Sequence, residues 1–144
     1  MPFSPEIIKN LNAPLDGKHV SERSQGNFTL SYVEGWHVIA EANRIFGHDG
    51  WNRDTVIMDL LSEAEREIRG APGFGVTYFA KVRITVGEVT REGCGAGHGI
   101  DKSRGLAHES AIKEAETDAT KRALMTFGWK FGLALYDKEK RYVV

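Results

Sequence analysis

From Phe74 to Val86 the chain alternates with a period of two. Phe74, Val76, Tyr78, Ala80, Val82, Ile84 and Val86 fall on one side, and Thr77, Phe79, Lys81, Arg83 and Thr85 on the other. Successive strand side chains point to opposite faces, so this predicts a strand that buries one face and requires a second layer over it. A different period supplies that layer. Ala111, Ala115, Ala119, Ala123 and Phe127 recur every fourth residue and predict a long helix from about Leu106 to Thr126 with one small, apolar stripe.

The rest of the chain fits around this pair. Gly87-Glu88 marks a turn, and Val89 to about Ala96 returns as an antiparallel partner weakened by Gly93, Gly95, Gly97 and Gly99. Upstream, Trp51 to about Leu61 reads as a strand entered through the Asp49-Gly50 turn, with Val56, Met58 and Leu60 on one face. The segment Ser62 to Gly75 is charged and then rich in Gly and Pro, which predicts a loop holding a helical turn. Ser4 and Pro5 are a helix N-cap and first-turn proline, so residues 5–12 form a short helix ended by Ala13-Pro14. Leu15 to Asn27 reads as a polar surface segment. From Tyr32 the spacing of Val38, Ile39, Ala42, Ile45 and Phe46 predicts a helix stopped by Gly47. The order is helix, three-stranded antiparallel sheet, long helix. That is an α+β fold, with the helices on one sheet face.

A length of 144 residues matches one domain, residues 1–144, with a self-sufficient core. With 41% hydrophobic and 27% charged residues the chain is not of the disordered class. No apolar run approaches a bilayer span, and MPFSPEIIKNLN lacks the basic start and apolar stretch of a secretory signal, so the expectation is a cytoplasmic chain off the membrane. The single Cys94 forms no internal disulfide, in keeping with a reducing compartment. A net charge of −1 and a pI near 6.5 oppose an overall basic, polyanion-binding chain. Any basic surface is therefore local, or built by repeating a small patch around an oligomer.

Catalytic chemistry is poorly represented. Cys94, His98 and His108 lack the paired spacing of a zinc site. The glycines from 93 to 99 do not form GxGxxG, and Asp101 stands where a phosphate-binding P-loop needs glycine before Lys102-Ser103. Asp59, Glu63, Glu65 and Glu67 read as solvated charge, not as a two-metal nuclease site. No nucleophile sits with a base, so no enzyme, metal or cofactor is expected. Phe79, Lys81 and Arg83 place a ring beside two cations, a combination that suits single-stranded nucleic acid, but the preferred reading is a ring under a helix or in a subunit interface and ordinary strand-surface cations, open to ion pairs between subunits. Lys121 and Arg122 are adjacent and point about 100° apart on a helix. From Glu109 to Arg122 there are four acidic residues (Glu109, Glu114, Glu116, Asp118) and three basic ones (Lys113, Lys121, Arg122), which is no basic stripe.

Four pieces taken together are more specific. They are Tyr32-Val33-Glu34-Gly35; Ala42, Asn43, Phe46, Gly47, Gly50 and Trp51; Val82-Arg83-Ile84; and Glu114-Ala115, Thr117-Asp118 and Lys121-Arg122-Ala123-Leu124 before Phe127-Gly128. In this order and spacing, from about Val20 to Tyr136, the chain resembles the annealing core of the Rad fifty-two family of recombination proteins. The resemblance implies a ring-forming homo-oligomer that lays single-stranded DNA in a basic groove and anneals complementary strands, without catalysis, in recombination and double-strand-break repair. Residue by residue it implies Arg23, Tyr32, Lys121 and Arg122 in an inner groove and Lys102 at a second, outer DNA site. Arg69, Lys81 and Arg83 are further candidates. Met125 and Gly73 depart from basic residues of some relatives, with Arg69 near enough in sequence to replace the latter. A ring that protects DNA ends without annealing is the alternative. A recombinase or a single-strand-binding protein is the partner implied beyond DNA. The stop at Val144, soon after the core, is expected of a compact bacterial or phage-type member acting at the nucleoid.

Overall fold

The computed structural model describes residues 3–144. In chain order these form helix α1 (Pro5–Asn12), strands β1 (Val20–Gln25) and β2 (Phe28–Val33), helix α2 (Gly35–Phe46), strands β3 (Asn52–Ile68), β4 (Ala71–Val86) and β5 (Val89–Asp101), and helix α3 (Arg104–Met125), followed by short 3-10 turns. β1 and β2 make a hairpin, and the other strands make a sheet in the order β3-β4-β5. The α+β class and the three-stranded antiparallel sheet against a long C-terminal helix, with helices before it, are as the sequence predicts. The chain divides into two compact units.

One unit comprises Arg53–Ile84 and Glu92–Ala123. Within it Val76, Ala80, Val82 and Ile84 of β4 are buried, as the alternation requires. The alanines of α3, Ala107, Ala111, Ala115, Ala119 and Ala123, are all fully buried. They lie on the glycine row of β5. A Cβ at Gly93, Gly95, Gly97 or Gly99 would collide with the backbone of α3 at Ala119 to Ala123, Ala119, Ala111 to Ala115, or Ala107 to Ala111 respectively. Alanine on the helix and glycine on the strand thus bring the two backbones together, and the row that reads as a weak strand is the seat of the helix. It also continues to Asp101, beyond the expected end near Ala96.

The segment expected to loop from Ser62 to Gly75 is instead strand. β3 runs through it to Ile68, and Arg69-Gly70 is a two-residue hairpin loop with φ of 51° and 80°. Gly73 admits the Ile68 side chain, which a Cβ there would strike. Charge misleads here because β3 is a sheet edge that is exposed along most of its length.

The other unit comprises the chain up to Asn52, Thr85–Arg91 and Leu124–Val144. α1 starts where Ser4 predicts, its Oγ accepting from Ile7 N at 3.2 Å. Beyond α1 the polar segment is not all loop, since it holds a 3-10 turn (Gly17–His19) and β1. Helix α2 begins at Gly35, not Tyr32, which lies in β2. The hairpin is legible afterwards from Gly26, whose φ of 63° suits the first central position of a two-residue loop. Val38, Ala42, Ile45 and Phe46 of α2 are buried. Phe46 meets Phe127 edge-on at 5.5 Å and stacks on Phe131 at 6.1 Å. The C-terminal segment returns to Leu15, with Leu15 N donating to Tyr142 O at 2.7 Å and Val144 N to Leu15 O at 2.8 Å.

Candidate nucleic-acid interface

The hairpin carries the first pair of candidate residues. Arg23 faces Leu30 across the ladder and Ser21 faces Tyr32, so Ser21, Arg23, Gln25, Phe28, Leu30 and Tyr32 share one face. On it the Arg23 guanidinium carbon stands 5.6 Å from the Tyr32 ring centre, a cation–π contact. The Tyr32 hydroxyl donates to Glu34 Oε1 at 3.3 Å. An aromatic face and a cation are thus held together by pairing alone. Arg23 is the only charged side chain on that face, Glu22 belonging to the other.

The second pair lies on α3, in the other unit. Lys121 is half-buried and Arg122 exposed. Arg122 Nε is 3.4 Å from Asp118 Oδ2, one helical turn earlier, and the same oxygen accepts from Ala96 N of β5 at 3.3 Å. Asp118 therefore ties the helix to the strand and orients Arg122. Lys102 is exposed between β5 and α3. Beside it Asp101 accepts from Ser103 N at 2.9 Å, and Ser103 Oγ accepts from Leu106 N at 3.3 Å. Asp101 thus serves the start of the helix, consistent with the reading that this is no P-loop.

The further candidates divide. Arg69 occupies the left-handed position of the β3–β4 loop. Lys81 and Arg83 converge on Glu92 of β5, at 3.8 and 3.0 Å, so their ion pairs are made within the chain. Within the acidic run, Glu63 is spoken for: Arg104 Nε and His108 Nε2 approach its Oε1 at 2.6 and 2.7 Å, and the other His108 nitrogen meets the Tyr78 hydroxyl at 2.7 Å. The hydrogen bond from Arg104, then that from His108, hold the Glu63 carboxyl below its ordinary pKa. This network joins β3, β4 and α3 through side chains whose spacing no sequence pattern reveals. Among the described residues no group of three or more His, Cys, Asp or Glu side chains is arranged to hold a metal ion. Nor, among them, is any helix long and apolar enough to cross a membrane.

Residues 4–144 match the family described as Rad52/22 family double-strand break repair protein. The chain belongs to the Rad52/22 family. It is 38% identical over 140 residues to the DNA repair and recombination protein RAD52 of Saccharomyces cerevisiae, covering 94% of this chain and 29% of that protein. It is 38% identical over 135 residues to the DNA repair and recombination protein rad22 of Schizosaccharomyces pombe, covering 92% and 28%. The chain therefore spans less than a third of the length of either relative.

Much of what marks this chain as a Rad52/22 member is architecture. Trp51 Nε1 donates to Asn43 Oδ1 at 2.7 Å, the Gly47 N–H closes α2 on Asn43 O at 3.0 Å, and a Cβ at Gly50 would strike Phe46 O. Phe127 packs on Phe46 and lies under the Arg91 guanidinium, while Gly128 rests against the Leu11 backbone. The residue that sequence reasoning missed is Phe28. It stands 77% exposed on the same hairpin face as Arg23 and Tyr32, and its only signal was a place two and four residues before Leu30 and Tyr32.

Proposed function

We propose that this chain binds single-stranded DNA as an oligomeric ring and anneals complementary strands, without catalysis, in recombination and double-strand-break repair. The observation that carries the reading is membership of the Rad52/22 family across residues 4–144, together with relatives named for DNA repair and recombination. Arg23, Tyr32, Lys121 and Arg122 are the assigned contacts to the strand, and Lys102 a contact at a second site. Cations would neutralise phosphates and leave base edges free, which suits a protein that presents any sequence to its complement. Proposed partners beyond DNA are a recombinase or a single-strand-binding protein, and the proposed location is wherever the DNA is.

The sheet supports assembly. Its outer strands β3 and β5 end the order β3-β4-β5, and a head-to-tail contact between such edges generates a ring when the rotation closes. Repetition also reconciles the net charge of −1 with a polyanion, because a few cations per copy recur as a track. The test is the double variant Lys121→Ala, Arg122→Ala. It is expected to weaken binding to all sequences alike and to lower the salt slope by about 1.4, the value for two phosphates on a single strand. Unchanged binding by a folded variant removes the assignment.

A further inference from the structure

The tip of the β1–β2 hairpin carries an exposed ring that no assigned contact uses. Phe28 is 77% exposed and Leu30 39%, in a unit where Phe46, Phe127 and Phe131 are buried and Phe3 is half-buried. Leaving a Phe side chain in water forgoes the favourable free energy of burying its apolar surface, so such a ring invites a partner. Strand pairing fixes where it points: Phe28 faces Gln25, Leu30 faces Arg23, and Tyr32 follows on the same side. Phe28 and Tyr32 are four residues apart, about 13 Å along an extended strand. Stacked nucleotides rise about 3.4 Å each, so the two rings would meet different nucleotides of one strand.

We infer that Phe28 is a base-stacking residue, extending the single-strand contact of Arg23 and Tyr32 to the hairpin tip. The inference rests on the single-strand-binding reading and adds a specificity to it: the ring recognises the presence of a base, not a phosphate. The chemistry of the face selects this occupant. Its only charge is the cation Arg23, already laid on an aromatic ring, and it bears no carboxylate. A polyanion with flat, apolar faces matches both features, and every base offers such a face whatever its identity. The hydroxyl-bearing Tyr32 has a polar task toward Glu34, whereas Phe28 has only its π-surface to offer.

The experiment compares wild type, Phe28→Ala and Phe28→Trp on an oligodeoxythymidylate and on a strand of equal length built from abasic spacers, across a salt series. With an exposed ring removed, the melting temperature is expected to stay within a few degrees of wild type. Phe28→Ala is expected to bind the base-bearing strand about tenfold more weakly, within the range for loss of one stacked base. Its salt slope should match wild type, since no phosphate contact is lost. On the abasic strand it should bind as wild type does, and Phe28→Trp should bind thymidylate at least as tightly as wild type. Equal binding of thymidylate by wild type and Phe28→Ala overturns the inference and leaves the single-strand reading standing. A loss accompanied by a smaller particle mass in light scattering overturns it in favour of a contact between copies of the chain. Failure of the wild type to bind either strand overturns the single-strand reading itself.

Discussion

His37 carries a buried ring nitrogen, Nε2, with no hydrogen-bond partner among the described residues. Its ring lies 4.1 Å from that of His19, tilted by 35°. Burial first, and the His19 charge second, hold its pKa below the ordinary 6.5; Glu41 pulls upward, while Arg44 and Lys130 add to the depression. A histidine that is harder to protonate folded than unfolded stabilises the fold above the unfolded pKa. That stability is lost as pH falls from there through the folded value. Melting temperature measured from pH 8 to pH 5 is therefore expected to fall more steeply for wild type than for His37→Gln, by a few degrees at the acid end. Parallel curves would show that His37 is not titrating with folding. At this scale the sequence was legible where partners are near in the chain, as with Ser4 capping α1. It was silent where they are not: His19 and His37 are joined only once the hairpin between them folds, and Glu63 finds His108 and Arg104 across most of a sheet.

Elements were read well when one face was buried and poorly when neither was. The β4 alternation was visible because α3 covers one side, and the α3 stripe because small residues recur each turn. β3 lacks that contrast, with Val56, Leu60 and Leu61 exposed beside Asp59 and Glu65, so its second half passed for a loop. The glycines of β5 were seen and misjudged. Glycine costs a strand about 0.5–1 kcal/mol relative to alanine, and only the helix laid against it explains the choice. Gly95→Ala would drive a methyl into the backbone at Ala119, and overpacking of this kind costs about 1–3 kcal/mol. Urea denaturation should place the loss at the upper end of that range, because the obstacle is backbone. Cys94→Ala, next along the strand but exposed, should stay within about 0.5 kcal/mol of wild type. Equal stability of Gly95→Ala and wild type would mean that α3 is not seated on the glycine row.

Assembly is implied by the family motifs, net charge adding only that a small basic patch would have to repeat, and the proposed ring needs an edge at which copies could meet. Leu60 and Leu61 are 48% and 61% exposed on β3, an edge strand of 17 residues. Successive strand residues point to opposite faces, so the two leucines leave both sides of that edge apolar. Soluble chains usually blunt such edges with charge, and β3 does so at Arg53 and Asp54 and at Glu65, Arg66 and Glu67, while its middle has Asp59 as the one exposed charge beside the two leucines. In the proposed ring this middle is where the next copy pairs. Replacing both leucines by lysine places two cations in that contact and forfeits about 1.5–3 kcal/mol per side chain. That is sufficient to weaken one interface by roughly two to four powers of ten. Light scattering should then find a discrete large particle for wild type and mostly single chains for the double variant. Its melting temperature should be no higher than that of wild type, and its circular dichroism unchanged, because neither leucine is in the core. Strand affinity should fall with the mass, since a ring binds through many weak copies of one site and a lone chain through one. An undiminished particle from the double variant would move the subunit contact away from the β3 edge. A lone wild-type chain that still anneals complementary strands would remove the ring from the mechanism.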